Sequence, residues 1–394
     1  MNVLSLFDGM ACGMLAMMDA GVNVDRYVAF EIDKYAVQTS SHNFPMIEHR
    51  GDVFKADFTE FRDFDFIVGG SPCTYWSIAQ KNNRETEASG MGWELFSQYV
   101  RALREAQPMY FIYENNKSMS NAIRESITET FGFEPICINS ALVSAQNRQR
   151  LYWVGKRNDD GTYSKVEVEQ PKNRGVLLKQ ILEDGCLVDK DKSYCLKHQA
   201  GNARDYFKKH HTQIKFEPVN TTADGKARTL IAGYHKQGIE NCCGFVGFGS
   251  SGVAEPVGIG YRGRMNDGKW VKQYESNGTE KANAITTAQT DSMVAIPIEF
   301  DGDIPTKAVS IADGKTYPVY EVKNGQITIK DKQYHISLAD GFYIIRKLTV
   351  RECMRLQTVP EWYDFPVSDT QAYKMLGNGW TVLVISHLIK SSLV

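Results

Sequence analysis

Through residue 155, short apolar runs alternate with longer amphipathic ones, and no other feature of the chain restricts its fold as tightly. The apolar runs are Val3 to Phe7, Arg26 to Glu31, Asp65 to Gly69 and Tyr110 to Tyr113, and helical periods follow from Gly13, Lys34, Glu94 and Asn121. Runs this short, each followed by a segment with helical spacing, bury their apolar residues together as neighbouring strands crossed by helices. The expected class is α/β, with βαβ units building a doubly wound, mostly parallel sheet. Ser140 to Gly155 adds two more apolar pieces around a polar Gln146-Asn-Arg-Gln-Arg.

Beyond that point the texture changes. Residues 156–342 are rich in Gly, Lys, Thr and isolated aromatics with no sustained helical period, and read as a smaller β-rich domain inserted before the C-terminal helices. Lys226-Ala-Arg-Thr-Leu-Ile-Ala and Lys281-Ala-Asn-Ala-Ile-Thr-Thr-Ala resemble each other weakly, either as related strand-turn elements or by chance. Asn324-Gly325 between alternating residues signals a two-residue hairpin. From Arg346 the helical period returns, with Thr349 as N-cap, Glu352 as its capping-box partner and a stop at Pro360. The tail from Gln371 to Leu393 ends in a further amphipathic helix. The expected domains are thus 1–155, 156–342 and a completing segment, 343–394.

Composition excludes a few classes. With 394 residues, 42% hydrophobic and 23% charged, the chain has enough apolar material for two folded domains. A net charge of -2 argues against a uniformly basic nucleic-acid coater, while leaving a local basic cleft open. Eight cysteines without a Cys-x-x-Cys pair support neither a zinc site nor a disulfide framework, so no metal is expected and a reducing cytoplasm fits. The first apolar run is too short for a signal peptide, and no stretch approaches the roughly eighteen apolar residues of a membrane span.

Cys73 carries the chemistry. It follows Phe66-Ile-Val-Gly-Gly-Ser-Pro, so the thiol lies just past an apolar strand, in a loop opened by two glycines and a proline, and not inside an apolar stretch where structural cysteines sit. Met109-Tyr-Phe-Ile-Tyr-Glu is a second such strand, ending on Glu114. Neighbouring parallel strands deliver their carboxyl-end residues into one crevice, where a thiol and a carboxyl can meet over one substrate. Phe7-Asp-Gly-Met-Ala-Cys-Gly lies where the first strand turns into the first helix. Alone it is equally a turn with no ligand, but Glu31 ends the second strand and Asp52 follows the third apolar segment, where acids read a nucleoside. No phosphate-cradling glycine pattern is present, so the nucleoside need carry no pyrophosphate. S-adenosylmethionine is such a nucleoside, and Asp52 is placed to accept from its adenine amine.

Together these residues resemble the DNA cytosine-5 methyltransferase family, bacterial or phage-like. Phe7-Asp-Gly, Glu31, Gly51-Asp52, Pro72-Cys73, Glu114-Asn115, Gln146-x-Arg148-x-Arg150, the run from Arg346 to Gln357 and Gly377-Asn378 occur in the family's order and near its spacing. The motifs cover both ends of the chain, roughly half of it. Three departures stand out: Glu114-Asn-Asn for the usual Glu-Asn-Val, Cys12-Gly13 for Gly-then-Phe, and Gly379-Trp380 for the common Ser-Val. The third is similar to a subset of phage-like members and bears on how Trp380 packs near the cofactor.

The resemblance implies the S-adenosylmethionine-dependent methyltransferase fold, with the insert as a target-recognition domain. It implies methyl transfer to carbon 5 of cytosine in a specific sequence of double-stranded DNA. Carbon 5 is too weak a nucleophile until a thiolate adds at carbon 6, which is the role of Cys73. Free thiols titrate near ~8.5, so a positive field is needed, and Arg148 is its candidate. Glu114, protonated or sharing a proton with the ring, neutralises charge and accepts from the exocyclic amine, and Arg150 donates to the ring carbonyl. The target nucleotide must be flipped out of the stack into a crevice between the domains. Cofactor contacts are implied at Phe7, Asp8, Gly9, Glu31, Ile32, Asp52, Val53, Pro72, Leu95, Asn378 and Trp380.

In the insert, Lys208, Lys209, His210, His211, Arg262 and Arg264, among aromatics such as Tyr261 and Trp270, are available to DNA but are equally solvated charges and core aromatics. A monomer is expected, without membrane attachment, with or without a cognate restriction endonuclease. Two rivals lie within the same family pattern, an RNA cytosine-5 methyltransferase, which would use the same catalytic set, and a non-catalytic DNA-binding relative. The first would be expected to have a shorter insert and the second to lack Cys73 or Glu114. A dehydrogenase on the same sheet would have no need of Gln146-x-Arg148-x-Arg150.

Overall fold

The structure, a computed structural model, describes residues 1–77, 84–183, 186–188, 256–266, 269–276, 281–285, 292–298, 304–310 and 312–393. They fall into two compact units. The first comprises Met1–Val176, Ile285–Thr287 and Cys353–Val394, the second Leu177–Ala284 and Ala288–Glu352.

The first unit is built on one sheet whose path runs β3-β2-β1-β4-β5-β7-β6, from Asn2–Leu6 (β1), Arg26–Phe30 (β2), Glu48–His49 (β3), Phe66–Gly69 (β4), Tyr110–Asn116 (β5), Ile136–Asn139 (β6) and Gln149–Arg157 (β7). Strands β1 to β5 are parallel, and β7 enters antiparallel between β5 and β6. β1, β2 and β4 are buried almost end to end, as strands covered on both faces must be. The covering helices are Cys12–Ala20 (α1), Lys34–Asn43 (α2), Gly90–Ala106 (α3) and Asn121–Phe131 (α4). Phe96, Tyr99 and Leu103 of α3 and Ile123, Ile127 and Phe131 of α4 recur at helical spacing, and meet Phe111, Tyr113 and Trp153 of the sheet in an aromatic-rich core.

Some boundaries differ from the sequence reading. α3 starts at Gly90, one turn before Glu94, because the Glu85 carboxylate accepts from the Gly92 N–H at 3.1 Å and caps the turn. β5 does not stop at Glu114 but continues to Asn116, since β7 pairs with it as far as Arg150 opposite Asn116. The two apolar pieces around Gln146 resolve into a single-turn helix, Ser140–Leu142, and β7. The C-terminal tail forms two helices, Asp369–Asn378 and Val382–Ser392, broken at Gly379 to Thr381. The second of these packs on α1, where Ser386 and Lys390 donate to Asp19.

The second unit is mainly antiparallel. Its larger sheet runs, in spatial order, Lys269–Ser276, Val257–Asn266, Met293–Ile298, Gly341–Lys347, Tyr320–Lys323, Gln326–Ile329 and Lys332–His335. Ile259, Ala295, Val322, Ile327, Tyr343 and Ile345 form its core. The hairpin at Asn324-Gly325 is present, with both residues at positive φ, 53° and 66°, as its two-residue turn requires. Thr349 and Glu352 form the expected capping box: Thr349 N–H reaches the Glu352 carboxylate at 2.7 Å, and Glu352 N–H the Thr349 hydroxyl at 3.1 Å. The segment Lys226-Ala-Arg-Thr-Leu-Ile-Ala and Lys208, Lys209, His210 and His211 lie outside the described residues, as do the side chains of Arg264 and Trp270. Among the described residues no helix is long and apolar enough to cross a membrane.

Candidate active site

The strand register sets four positions in one row. Leu6 pairs with Phe30 and Gly69, and Gly69 with Tyr113, so the next residues, Phe7, Glu31, Gly70 and Glu114, lie level on adjacent strands, the first three just past the ends of theirs and Glu114 within β5, which runs on to Asn116. β7 runs the other way, so its amino end adds Arg150 to that edge. This is the crevice where α/β sheets bind ligands.

On the β1–β2 side the backbone is strained around an acid. Phe7, Gly9 and Ala11 all take left-handed φ, near +60°, and two of the three are not glycine. The turn delivers the Gly9 N–H to Glu31 Oε2 at 2.8 Å, while Glu31 Oε1 accepts from the N–H groups of Ile32 and Asp33, each at 2.8 Å. Three donors thus fix one carboxylate at the strand end, beside Ile32, which is 78% exposed. Asp8 is buried behind the turn. Tyr27 donates its hydroxyl to Oδ1 at 2.8 Å, and Oδ2 has no hydrogen-bond partner. Burial pushes this carboxyl up to about 6, against hydrogen bonds that favour its charge and with Glu31 adding to the rise.

Asp52 caps a short helical turn, Val53–Lys55, by accepting from Phe54 N–H at 3.0 Å. Arg101 of α3 secures that turn, reaching the carbonyls of Val53 and Ala56 and lying over the Phe58 ring. Val53 is buried, and Leu95 packs partly buried on the core.

On the β4–β5 side, the backbone has no room for larger residues at Gly69 and Gly70. A Cβ at Gly69 would lie 2.7 Å from the Leu6 carbonyl oxygen, and one at Gly70 2.7 Å from that of Glu114 and 3.0 Å from Glu114 Oε2. Ser71, exposed Pro72 and Cys73 follow, and Cys73–Tyr75 form a single helical turn. Of the described free cysteines, Cys12 and Cys353 are buried while Cys73 and Cys137 are partly exposed, and of these two only Cys73 follows a strand at the row. Burial pushes the Cys12 thiol up to about 12, although the Trp380 backbone N–H points at it, which removes Cys12 as a nucleophile. The Cys73 carbonyl accepts from Trp76 and Ser77 N–H and from Asn116 Nδ2 at 3.4 Å. Asn115 Nδ2 reaches the Ser71 carbonyl at 3.1 Å. Asn116, one of the departures from the family pattern, therefore ties down the cysteine's turn.

The Glu114 carboxylate is held at both oxygens. Arg150 Nε forms an ion pair with Oε1 at 3.0 Å, and Trp380 Nε1 donates a hydrogen bond to Oε2 at 2.9 Å. Arg148 is buried, and its guanidinium reaches the carbonyls of Ile285, Gly377 and Gly379 at 2.9, 3.2 and 2.9 Å. Burial pushes it down to about 10 and the Arg150 charge adds to this, while Glu114 and Cys73 oppose it, so its charge acts on the same site.

Gln357 completes the frame. Its amide nitrogen donates to the carbonyls of Leu376 and Gly379, and its oxygen accepts from Gln146 and Thr381. Asn378 is exposed at the end of its helix, two residues before Trp380. Sequence reasoning did not single out Asn116, Gln357 or Tyr27 as site residues. Their roles rest on hydrogen bonds to distant carbonyls and carboxylates, which a strand or helix pattern does not reveal.

The model of the C-5 cytosine-specific DNA methylases matches residues 1–393. The chain is 25% identical over 442 aligned positions to the orphan methyltransferase M.SPRI of Bacillus phage SPR, covering 99% of this chain and 97% of that one. It is 25% identical to the type II methyltransferase M1.ScrFI of Lactococcus lactis subsp. cremoris, over 92% of this chain and 70% of that one. Among solved structures, the Entamoeba histolytica methyltransferase EhMeth superposes with a TM-score of 0.53 at 12% identity, covering 100% of this chain and 97% of that one, a likeness of fold.

Proposed function

The chain belongs to the C-5 cytosine-specific DNA methylases, and from that premise we propose that it methylates carbon 5 of cytosine within a specific sequence of double-stranded DNA, through a flipped base and a covalent Cys73 adduct. The observation that carries this reading is the convergence of the Cys73 turn and the Glu114–Arg150 pair at one strand edge.

In this reading Cys73 Sγ forms a bond to carbon 6, and the ring's double-bond electrons move toward carbon 5. Arg148 supplies positive charge near the developing thiolate without spending a donor on substrate, since its hydrogen bonds go to backbone carbonyls. Glu114 stabilises charge on the ring and accepts from the exocyclic amine, and Arg150 both steadies Glu114 and faces the ring carbonyl. Carbon 5 then takes the methyl group as the methyl's bond to the sulfonium sulfur breaks, and when its proton passes to a base such as water the double bond reforms and the bond to Sγ breaks, returning the thiolate.

S-adenosylmethionine, when bound, supplies the methyl group on a sulfonium. The residues fit it. Glu31, held at the strand end, would accept from ribose hydroxyls, Asp52, which caps the next turn, would accept from the adenine amine, and Asp8 Oδ2 has no partner beside the strained glycine turn. Phe7, Gly9, Ile32, Val53, Pro72, Leu95, Asn378 and Trp380 would complete the contacts. The β-rich second unit would read the bases around the target.

Bisulfite sequencing of DNA from cells expressing the wild-type chain is expected to show protected cytosines in one sequence context, and Cys73→Ser to show none while still binding S-adenosylmethionine. A wild-type chain that protects no DNA cytosine but modifies RNA would overturn the substrate. Full protection by Cys73→Ser would overturn the nucleophile.

A further inference from the structure

We infer that the Trp380 indole is a positioning residue for Glu114, fixing the carboxylate for the cytosine edge, an inference that rests on the methyltransferase reading above. A carboxylate at the end of a flexible side chain rotates unless both oxygens are held, and Arg150 holds only Oε1, at 3.0 Å. Trp380 Nε1 donates to Oε2 at 2.9 Å. With an ion pair on one oxygen and the directional indole hydrogen bond on the other the carboxylate plane is set, and both oxygens keep lone pairs for the substrate.

Three further observations show that the molecule is built around this contact. Gly70 is the close neighbour of Glu114 Oε2, and a Cβ there would stand 3.0 Å from it. The turn bearing Trp380 is fastened through the Gly379 carbonyl, which accepts from Arg148 at 2.9 Å and Gln357 at 3.2 Å. Finally, a Cβ at position 379 would stand 3.2 Å from Cys12 Sγ and 3.0 Å from the Met375 carbonyl oxygen. The departures at Cys12 and Gly379-Trp380 thus meet in space: the cysteine sulfur crowds a side chain at position 379, and the next residue brings an indole N–H to the acid.

Steady-state kinetics of the full chain on cognate DNA, with cofactor affinity measured by calorimetry, separate the two roles. Trp380→Phe keeps the aromatic plane and loses the donor. It is expected to lower kcat at saturating cofactor by about tenfold or more, as for a lost hydrogen bond to a charged group, while the S-adenosylmethionine Kd stays within about threefold. In a Glu114→Gln background the same substitution is expected to cost much less, because the two act as one unit. An unchanged kcat with a weakened Kd would overturn the inference and leave Trp380 as a cofactor contact only. Should Trp380→Phe fail to fold, Trp380→His, which keeps a ring N–H, is expected to exceed Trp380→Leu in kcat by about tenfold on the same grounds, and equal values would overturn the inference. A wild-type chain that methylates no cytosine strikes the functional reading itself, whereas an active wild type beside an unaltered Trp380→Phe strikes only the role of Trp380.

Discussion

At the scale of single residues, Asp8 shows most plainly what the site costs the fold. Its carboxyl sits at about 6 against an unperturbed 3.8, with burial as the main cause. A carboxyl whose value is raised on folding holds more protons folded than unfolded, so stability falls as pH rises between those two values. The penalty is absent below about pH 4 and complete above about pH 6, where it reaches roughly 2–3 kcal/mol. Asp8→Asn keeps an acceptor for the Tyr27 hydroxyl and removes the charge. It is expected to be more stable than wild type at pH 8 by that amount and equal to it at pH 4, as read from urea unfolding without cofactor. The same difference at both values would mean that the effect is not the buried charge. The sequence marked Asp8 as a site residue but gave no hint of its titration, because burial behind the β1 turn depends on Tyr27 and Glu31, nineteen and twenty-three residues away in the chain.

At the scale of elements, the helix Val350–Leu356 combines a device legible in the sequence with one that was not. Thr349 and Glu352 announce a capping box by their spacing alone. Nothing local announces that the same carboxylate receives Arg346 Nη1 at 2.8 Å and Nη2 at 2.6 Å, with both side chains at 0% exposure. A cap alone is worth about 1 kcal/mol, whereas removing one partner of a buried pair costs about 3–5 kcal/mol because the other charge is left uncompensated. Glu352→Ala is therefore expected to lower the urea midpoint well beyond Thr349→Ala. Equal losses would show that the buried pair adds nothing to the cap. The Asn324-Gly325 hairpin was fully legible, since two residues with positive φ are a local demand. The start of α3 and the end of β5 were misplaced because Glu85 and the antiparallel neighbour β7, neither of them local, decide where those elements begin and stop.

At the scale of the whole molecule, the order of apolar and amphipathic segments was enough to predict a parallel sheet, and Phe7, Glu31, Gly70 and Glu114 do lie in one row, although β5 runs past Glu114. The antiparallel entry of β7 between β5 and β6 was not legible, yet it is what brings Arg150 beside Glu114. Nor was the service of Gln357 and Arg148 to the turn that carries Trp380, because hydrogen bonds to distant carbonyls leave no periodic trace. These parts converge on a single claim, that Cys73 bonds carbon 6 of a cytosine held by Glu114 and Arg150. The direct test is to incubate the full chain and S-adenosylmethionine with a duplex carrying 5-fluorocytosine at the methylated position, where fluorine cannot leave as a proton does. A denaturing gel is expected to show a stable protein–DNA adduct, with peptide mapping placing the bond at Cys73. Efficient methylation of the ordinary duplex without any adduct on the fluorinated one, or an adduct on another cysteine, would contradict the account.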